Sequence, residues 1–146
     1  MKKTVLMMML LASAQASAAA NTWTRTIVQG LTEYRVQNKN GAELLLTCSP
    51  EDNVFVLYTS PDGKTLASGG DDGRSVQAQT DNSDTFLIND TVSDAGGSNF
   101  EAFWDAARKS HRIHITATGL TSATFTFSNA AKILPEFDKS GCLTRM

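Results

Sequence analysis

Cys48 and Cys142 are the only cysteines in the 146-residue chain, and they constrain it more than any other pair of side chains. Joined, they close a loop over nearly the whole folded body. Removing that loop's entropy from the unfolded ensemble is worth about 4–5 kcal/mol, against a net stability of about 5–15 kcal/mol for a typical domain. They are not spaced as CxxC, so a structural bridge is expected and a thiol-redox site is not. Whether the bridge forms depends on the compartment, because thiols pair where the surroundings are oxidising.

The first twenty residues address that condition. "MKKTVLMMMLLASAQASAAA" carries Lys2 and Lys3, an apolar run from Val5 to Leu11, and small residues that end in Ala16-Ser17-Ala18 and Ala18-Ala19-Ala20. This is the order of a Sec-type bacterial signal peptide with cleavage near Ala18–Ala20, and the run is shorter than the roughly 20 residues a membrane span needs. The reading is therefore a signal peptide over 1–20 and one exported, disulfide-linked domain over 21–146, periplasmic or secreted, without an integral membrane segment after cleavage. Without Lys2 and Lys3, 11 of the 13 basic side chains remain against 15 acidic ones, a net charge of −4. Nucleic acid, which requires clustered Lys and Arg, is not an expected partner.

The exported part alternates. In "TWTRTIV", Trp23, Arg25 and Ile27 share one parity, with Thr24, Thr26 and Val28 on the other. "EYRVQ" and "AELLLTC" flank Asn38-Lys39-Asn40-Gly41, a hairpin signal because Asn-Gly accepts positive φ. "NVFVLYTS" is apolar at both parities, which predicts a central strand covered on both faces, and Ser60-Pro61-Asp62-Gly63 reads as a turn. A polar segment with a weak strand near Ser75–Gln79 follows, then a short strand in "TFLIND". "RIHITAT" and "ATFTFS" are two more alternating strands around Gly119-Leu120-Thr121-Ser122.

One helix is expected, over about 98–110. Ser98-Asn99-Phe100-Glu101 matches a capping box, and Phe100, Phe103, Trp104 and Ala107 form one apolar stripe. Gly96-Gly97 reads as the bend before it. A short C-terminal helix through Ala130, Ile133, Leu134 and Phe137 meets Pro135, which either kinks it or ends one turn and begins another. The fold class is α+β: a single domain, mainly antiparallel sheet or sandwich, with one clear helix and a short C-terminal one.

Candidate chemistry is sparse. His111 and His114 are the only histidines; three apart on a strand they face opposite sides and cannot share a metal. His111 reads as a residue at the helix exit, and His114 as lying on the polar face with Arg112 and Thr116. Asp71, Asp72, Asp81 and Asp84 resemble calcium ligands singly, but neither an EF-hand loop nor a repeated Gly-Gly-x-Gly-x-Asp unit is present, so solvated turns are expected. There is no Gly-x-Ser-x-Gly elbow, and the glutamates are scattered. Triads assemble in space, so a hydrolase using His111 or His114 stands as the competing reading. The expected catalytic, cofactor and metal residues are none. Trp23, Tyr34 and Tyr58 read either as core or as anchors for a partner.

The run "ATFTFSNAAKILPEFDKSGC" resembles the ending of small exported bacterial envelope proteins. Periplasmic accessory proteins associated with type VI secretion and related uncharacterised families share it. The matching positions are Phe125, Phe127, Ser128, Ala131, Leu134 and Cys142, with Ser128-Asn129 where a Gly usually follows the strand. The resemblance implies a small envelope domain stapled by a terminal disulfide. It transfers no catalytic or binding residue; an exported, disulfide-linked sheet domain without a chemical motif is expected to be a non-enzymatic protein-binding or accessory module without cofactor. Its partner would be another envelope or secreted protein, reached through exposed edge strands. A variant is an inhibitor that presents the Ser68–Ser75 loop to an envelope hydrolase.

Overall fold

Period-two patterning and β-branched residues build nine strands among the described residues, and glycines or Asx residues turn most of them. The structure is a computed structural model that describes residues 19–146 apart from Asp71, Asn82 and Ser83; most of the expected leader, residues 1–18, therefore lies outside the described residues. Strands β1 (Trp23–Val28), β2 (Leu31–Gln37), β3 (Glu43–Cys48), β4 (Phe55–Thr59) and β5 (Thr65–Ala67) form an antiparallel meander in that order. Strands β6 (Val76–Thr80), β7 (Thr85–Leu87), β8 (Arg112–Ala117) and β9 (Ala123–Thr126) form a second antiparallel sheet, ordered β7-β6-β8-β9. Helix α1 (Asp94–Arg108) links β7 to β8, and α2 (Ala130–Ile133) follows β9.

One buried cluster joins both sheets and the helix: Tyr34, Leu44, Leu46 and Val56 from the first sheet, Ile113, Ile115 and Phe125 from the second, and Phe100, Phe103 and Trp104 from α1. Trp104 meets Tyr34 edge-on at 5.0 Å between ring centroids, and its indole N–H donates to the Pro135 carbonyl at 2.8 Å. The expected disulfide is present: Cys48 at the end of β3 is bonded to Cys142, with Cα atoms 4.5 Å apart, and both residues are buried. It fastens the C-terminal segment beside β4, where the Leu143 carbonyl accepts from the Val54 amide at 2.8 Å.

Four local readings are corrected. The helix begins at Asp94, not near Ser98; Ser93 is the N-cap, its hydroxyl accepting from the Gly96 amide at 3.0 Å. Glu101 does not reach back to a cap but holds Thr144 and Arg145, at 2.7 and 2.8 Å. Gly96 and Gly97 lie inside the helix, where a Cβ would collide with Asp90 and with Arg145 respectively. Strand β4 is covered on one face only: Val56 and Tyr58 are buried, whereas Phe55 is 43% exposed. The apolar row Leu45–Leu57–Ala67 on that open face instead shelters itself by cross-strand contact.

Pro135 ends the first turn rather than kinking a longer helix. α2 stops at Ile133, and a 3-10 turn spans Phe137–Lys139 with Glu136 before it, so Pro135 does not open the second turn. The β1–β2 connection is a two-residue hairpin in which Gln29 and Gly30 both take positive φ, 50° and 82°, as a tight primed turn requires.

Candidate interaction edge

The residues singled out by chemistry do not converge. The His111 imidazole is 77% exposed, two residues beyond the helix C-cap, with Nδ1 3.7 Å from Asp81 Oδ2; its amide donates to that same oxygen at 2.6 Å. His114 lies on the outer face of β8, its Nδ1 2.8 Å from the Thr124 hydroxyl. Among the described residues neither ring has a hydroxyl and a carboxylate within hydrogen-bonding distance together. Nor do three or more His, Cys, Asp or Glu gather there around a possible ion. Asp71 lies outside the described residues, and Asp72 is bound by Arg74, whose Nε donates to Oδ2 at 2.6 Å. That guanidinium holds the Asp72 carboxyl below its ordinary value. Trp23, Tyr34 and Tyr58 are fully buried and belong to the core.

A cleft of about 660 Å³ opens where Asp52–Phe55, Ser68–Gly70 and Asn89–Val92 meet. Its main polar groups are already spoken for. Asp90 accepts from the Val92 and Ser93 amides at 3.1 Å each and from the Ser93 hydroxyl at 2.5 Å, and Ser93 keeps its carboxyl below the ordinary range. Asn53 is paired with Met146 through both amide atoms. These groups anchor the helix and the C-terminal segment.

The edge strands differ more sharply. In an antiparallel ladder, directly opposed residues alternate between bonded and non-bonded pairs, so each residue turns its N–H and C=O to one side. The Asn38 amide donates to the Ala42 carbonyl at 3.1 Å, marking a bonded pair. Stepping by two, Val36–Leu44, Tyr34–Leu46 and Thr32–Cys48 bond β2 to β3, so Arg35, Glu33 and Leu31 bond to Thr24, Thr26 and Val28 of β1. Trp23, Arg25 and Ile27 therefore direct their backbone groups to the free side.

At Trp23 that side is closed. The Asn129 amide takes both groups, accepting from the Trp23 N–H and donating to its carbonyl, each at 2.9 Å. At Arg25 and Ile27 no side-chain partner closes it among the described residues. Every residue from Arg25 to Leu31 is exposed, with Ile27, Val28 and Leu31 at 64%, 44% and 38%. The other edges are blunted: α1 packs on β7 and Asn99 donates to the Leu87 carbonyl, Asn38 donates to the Thr124 carbonyl of β9 at 3.1 Å, and β5 has three residues. Charges, covers and shortness of this kind are how sheets protect edges.

Fold and edge together define a disulfide-closed α+β sandwich in which β1 is open along part of its outer edge. The chain belongs to the YfjT family, whose profile matches residues 21–134. No curated protein and no solved structure matches it. Sequence reading missed the open edge: Arg25 and Ile27 showed only as alternating residues, and the Gln29-Gly30 turn was the one local signal that β1 ends in a projecting hairpin.

Proposed function

We propose that this protein is a non-enzymatic binding and accessory module of the bacterial envelope, exported by its leader to the periplasm or beyond, which holds another envelope or secreted protein by adding its strand to β1. The observation that carries the reading is the open backbone at Arg25 and Ile27, beside the exposed apolar tip Ile27–Val28–Leu31. Main-chain hydrogen bonds give such an edge affinity, and neighbouring side chains give it selectivity. The disulfide suits an oxidising compartment. The C-terminal run suggests type VI secretion as the setting. A photo-reactive residue at Ile27 in exporting cells is expected to cross-link one partner, and Ile27→Pro with the cross-linker at Val28 to lose it. If His111→Ala with His114→Ala abolishes function in a folded protein while β1 variants do not, the hydrolase reading replaces this one.

A second reading has its own observation. Arg74 is bonded to Asp72, and its carbonyl accepts from the Asn89 side-chain amide at 3.0 Å. Bonds that hold this end of the Ser68–Ser75 loop suit an inhibitor that presents it to the cleft of an envelope hydrolase. Cross-linking from Arg74 rather than from Ile27 would favour it.

A further inference from the structure

The groove beside the open half of β1 is cationic in a chain with more acidic than basic side chains. It has a volume of about 340 Å³ and is lined by Arg25, Lys132, Ile133, Pro135 and Lys139. It arises where α2 packs against β1 and where Pro135 separates α2 from the 3-10 turn. Arg25 has the inward parity of Trp23 and Ile27, and its guanidinium lies 6.0 Å from the centroid of the Tyr34 ring. A strand added to β1 would run about 4.8 Å from it. Every second side chain of that strand would fall on the groove side.

The charges there are uneven. Lys139 is neutralised by Glu136, Nζ to Oε2 2.6 Å, with Asp138 adding to the same field and Arg108 opposing it. Arg108 spends its Nε on the Leu134 carbonyl at 2.9 Å. Among the described residues Arg25 and Lys132 have no carboxylate within 4.0 Å. An edge arginine also discourages indiscriminate pairing, so the same side chain rejects a neutral or basic strand and welcomes an acidic one.

Building on the strand-addition reading, we propose that the partner segment is an extended peptide with acidic residues at the alternate positions that face this groove. Its carboxylates meet Arg25 and Lys132, and an aliphatic residue two positions along packs beside Ile27 and Ile133.

The test uses three labelled ten-residue peptides with Glu, Gln or Lys at alternate positions between Val and Thr. Each is titrated into the exported, oxidised protein by fluorescence anisotropy, with amide shifts recorded by NMR. The Glu peptide should bind about three- to tenfold tighter than the Gln peptide at low salt, lose that margin as salt rises, and shift Arg25–Val28. In Arg25→Glu with Lys132→Glu, whose sites are both exposed, the order should invert at an unchanged Tm. Equal binding of all three peptides, with Arg25–Val28 still shifting, overturns the acidic preference and leaves strand addition standing. Shifts confined elsewhere, or no binding by any peptide, overturn both.

Discussion

Replacing Gly96 by Ala should destabilise this protein although it improves helix propensity. In an exposed helix the change gains about 1 kcal/mol. Here an ideal Cβ lies 2.5 Å from the main-chain oxygen of Asp90 and meets its carboxyl group as well. Asp90 cannot simply swing away, because its carboxylate is held by the Val92 and Ser93 amides and by the Ser93 hydroxyl. That hydroxyl caps α1 at Gly96, so relieving the collision disturbs the cap too. Overpacking costs about 1–3 kcal/mol and a lost cap about 1 kcal/mol. Set against the propensity gain, the net loss is about 1–3 kcal/mol. Gly97→Ala should bring no gain either: its Cβ would collide with the Arg145 Cγ, the near end of that side chain, and lie 3.1 Å from the Thr144 Cβ. Overpacking of about 1–3 kcal/mol offsets or exceeds the propensity gain there. Urea unfolding with the disulfide intact should show a lowered midpoint at constant slope for Gly96→Ala, and no raised midpoint for Gly97→Ala. A Gly96→Ala protein as stable as wild type would refute this account of the helix start.

Three further outcomes are expected. Cys48→Ser with Cys142→Ser should lower the unfolding free energy by about 4–5 kcal/mol, read by urea denaturation, given a bridge across 94 residues of chain. Burial, aided by the Asp62 charge, pushes the Tyr58 hydroxyl up to about 12. The native state then holds this proton more tightly than the unfolded one, so the contribution is complete below pH 10 and lost as the pH climbs from 10 towards 12, up to about 2–3 kcal/mol. Tyr58→Phe should flatten that alkaline decline in midpoints measured at pH 9 and 11.5, while forfeiting about 1 kcal/mol from the bond to the Thr121 carbonyl. Asn129→Ala should cost about 1–3 kcal/mol and, by uncovering Trp23, raise concentration-dependent association in sedimentation experiments.

Much of the architecture was legible because burial follows parity. In β8, Ile113, Ile115 and Ala117 turn inward while Arg112, His114 and Thr116 do not, as the alternation of "RIHITA" implies. The disulfide was legible from the cysteine count together with the expected leader. The helix start was not, because Ser98 and Glu101 imitate a capping box locally whereas the close approach of Asp90 and Arg145 to the glycines is tertiary. β5 escaped notice since three residues carry too little pattern. The candidate edge was the least visible part. Its openness depends on sheet order and on Asn129, 106 residues from Trp23, and its cations come from β1, α2 and the following turn.

Amide hydrogen exchange along β1 in the monomeric, oxidised protein tests the central claim most directly. An open edge beside a closed one predicts slow exchange at Trp23, Thr24, Thr26 and Val28, and fast exchange at Arg25 and Ile27. Adding a strand-forming ligand should slow those last two amides selectively. Uniform protection from Trp23 to Val28 without any ligand would mean that the edge is already satisfied, and β1 could not be the binding strand.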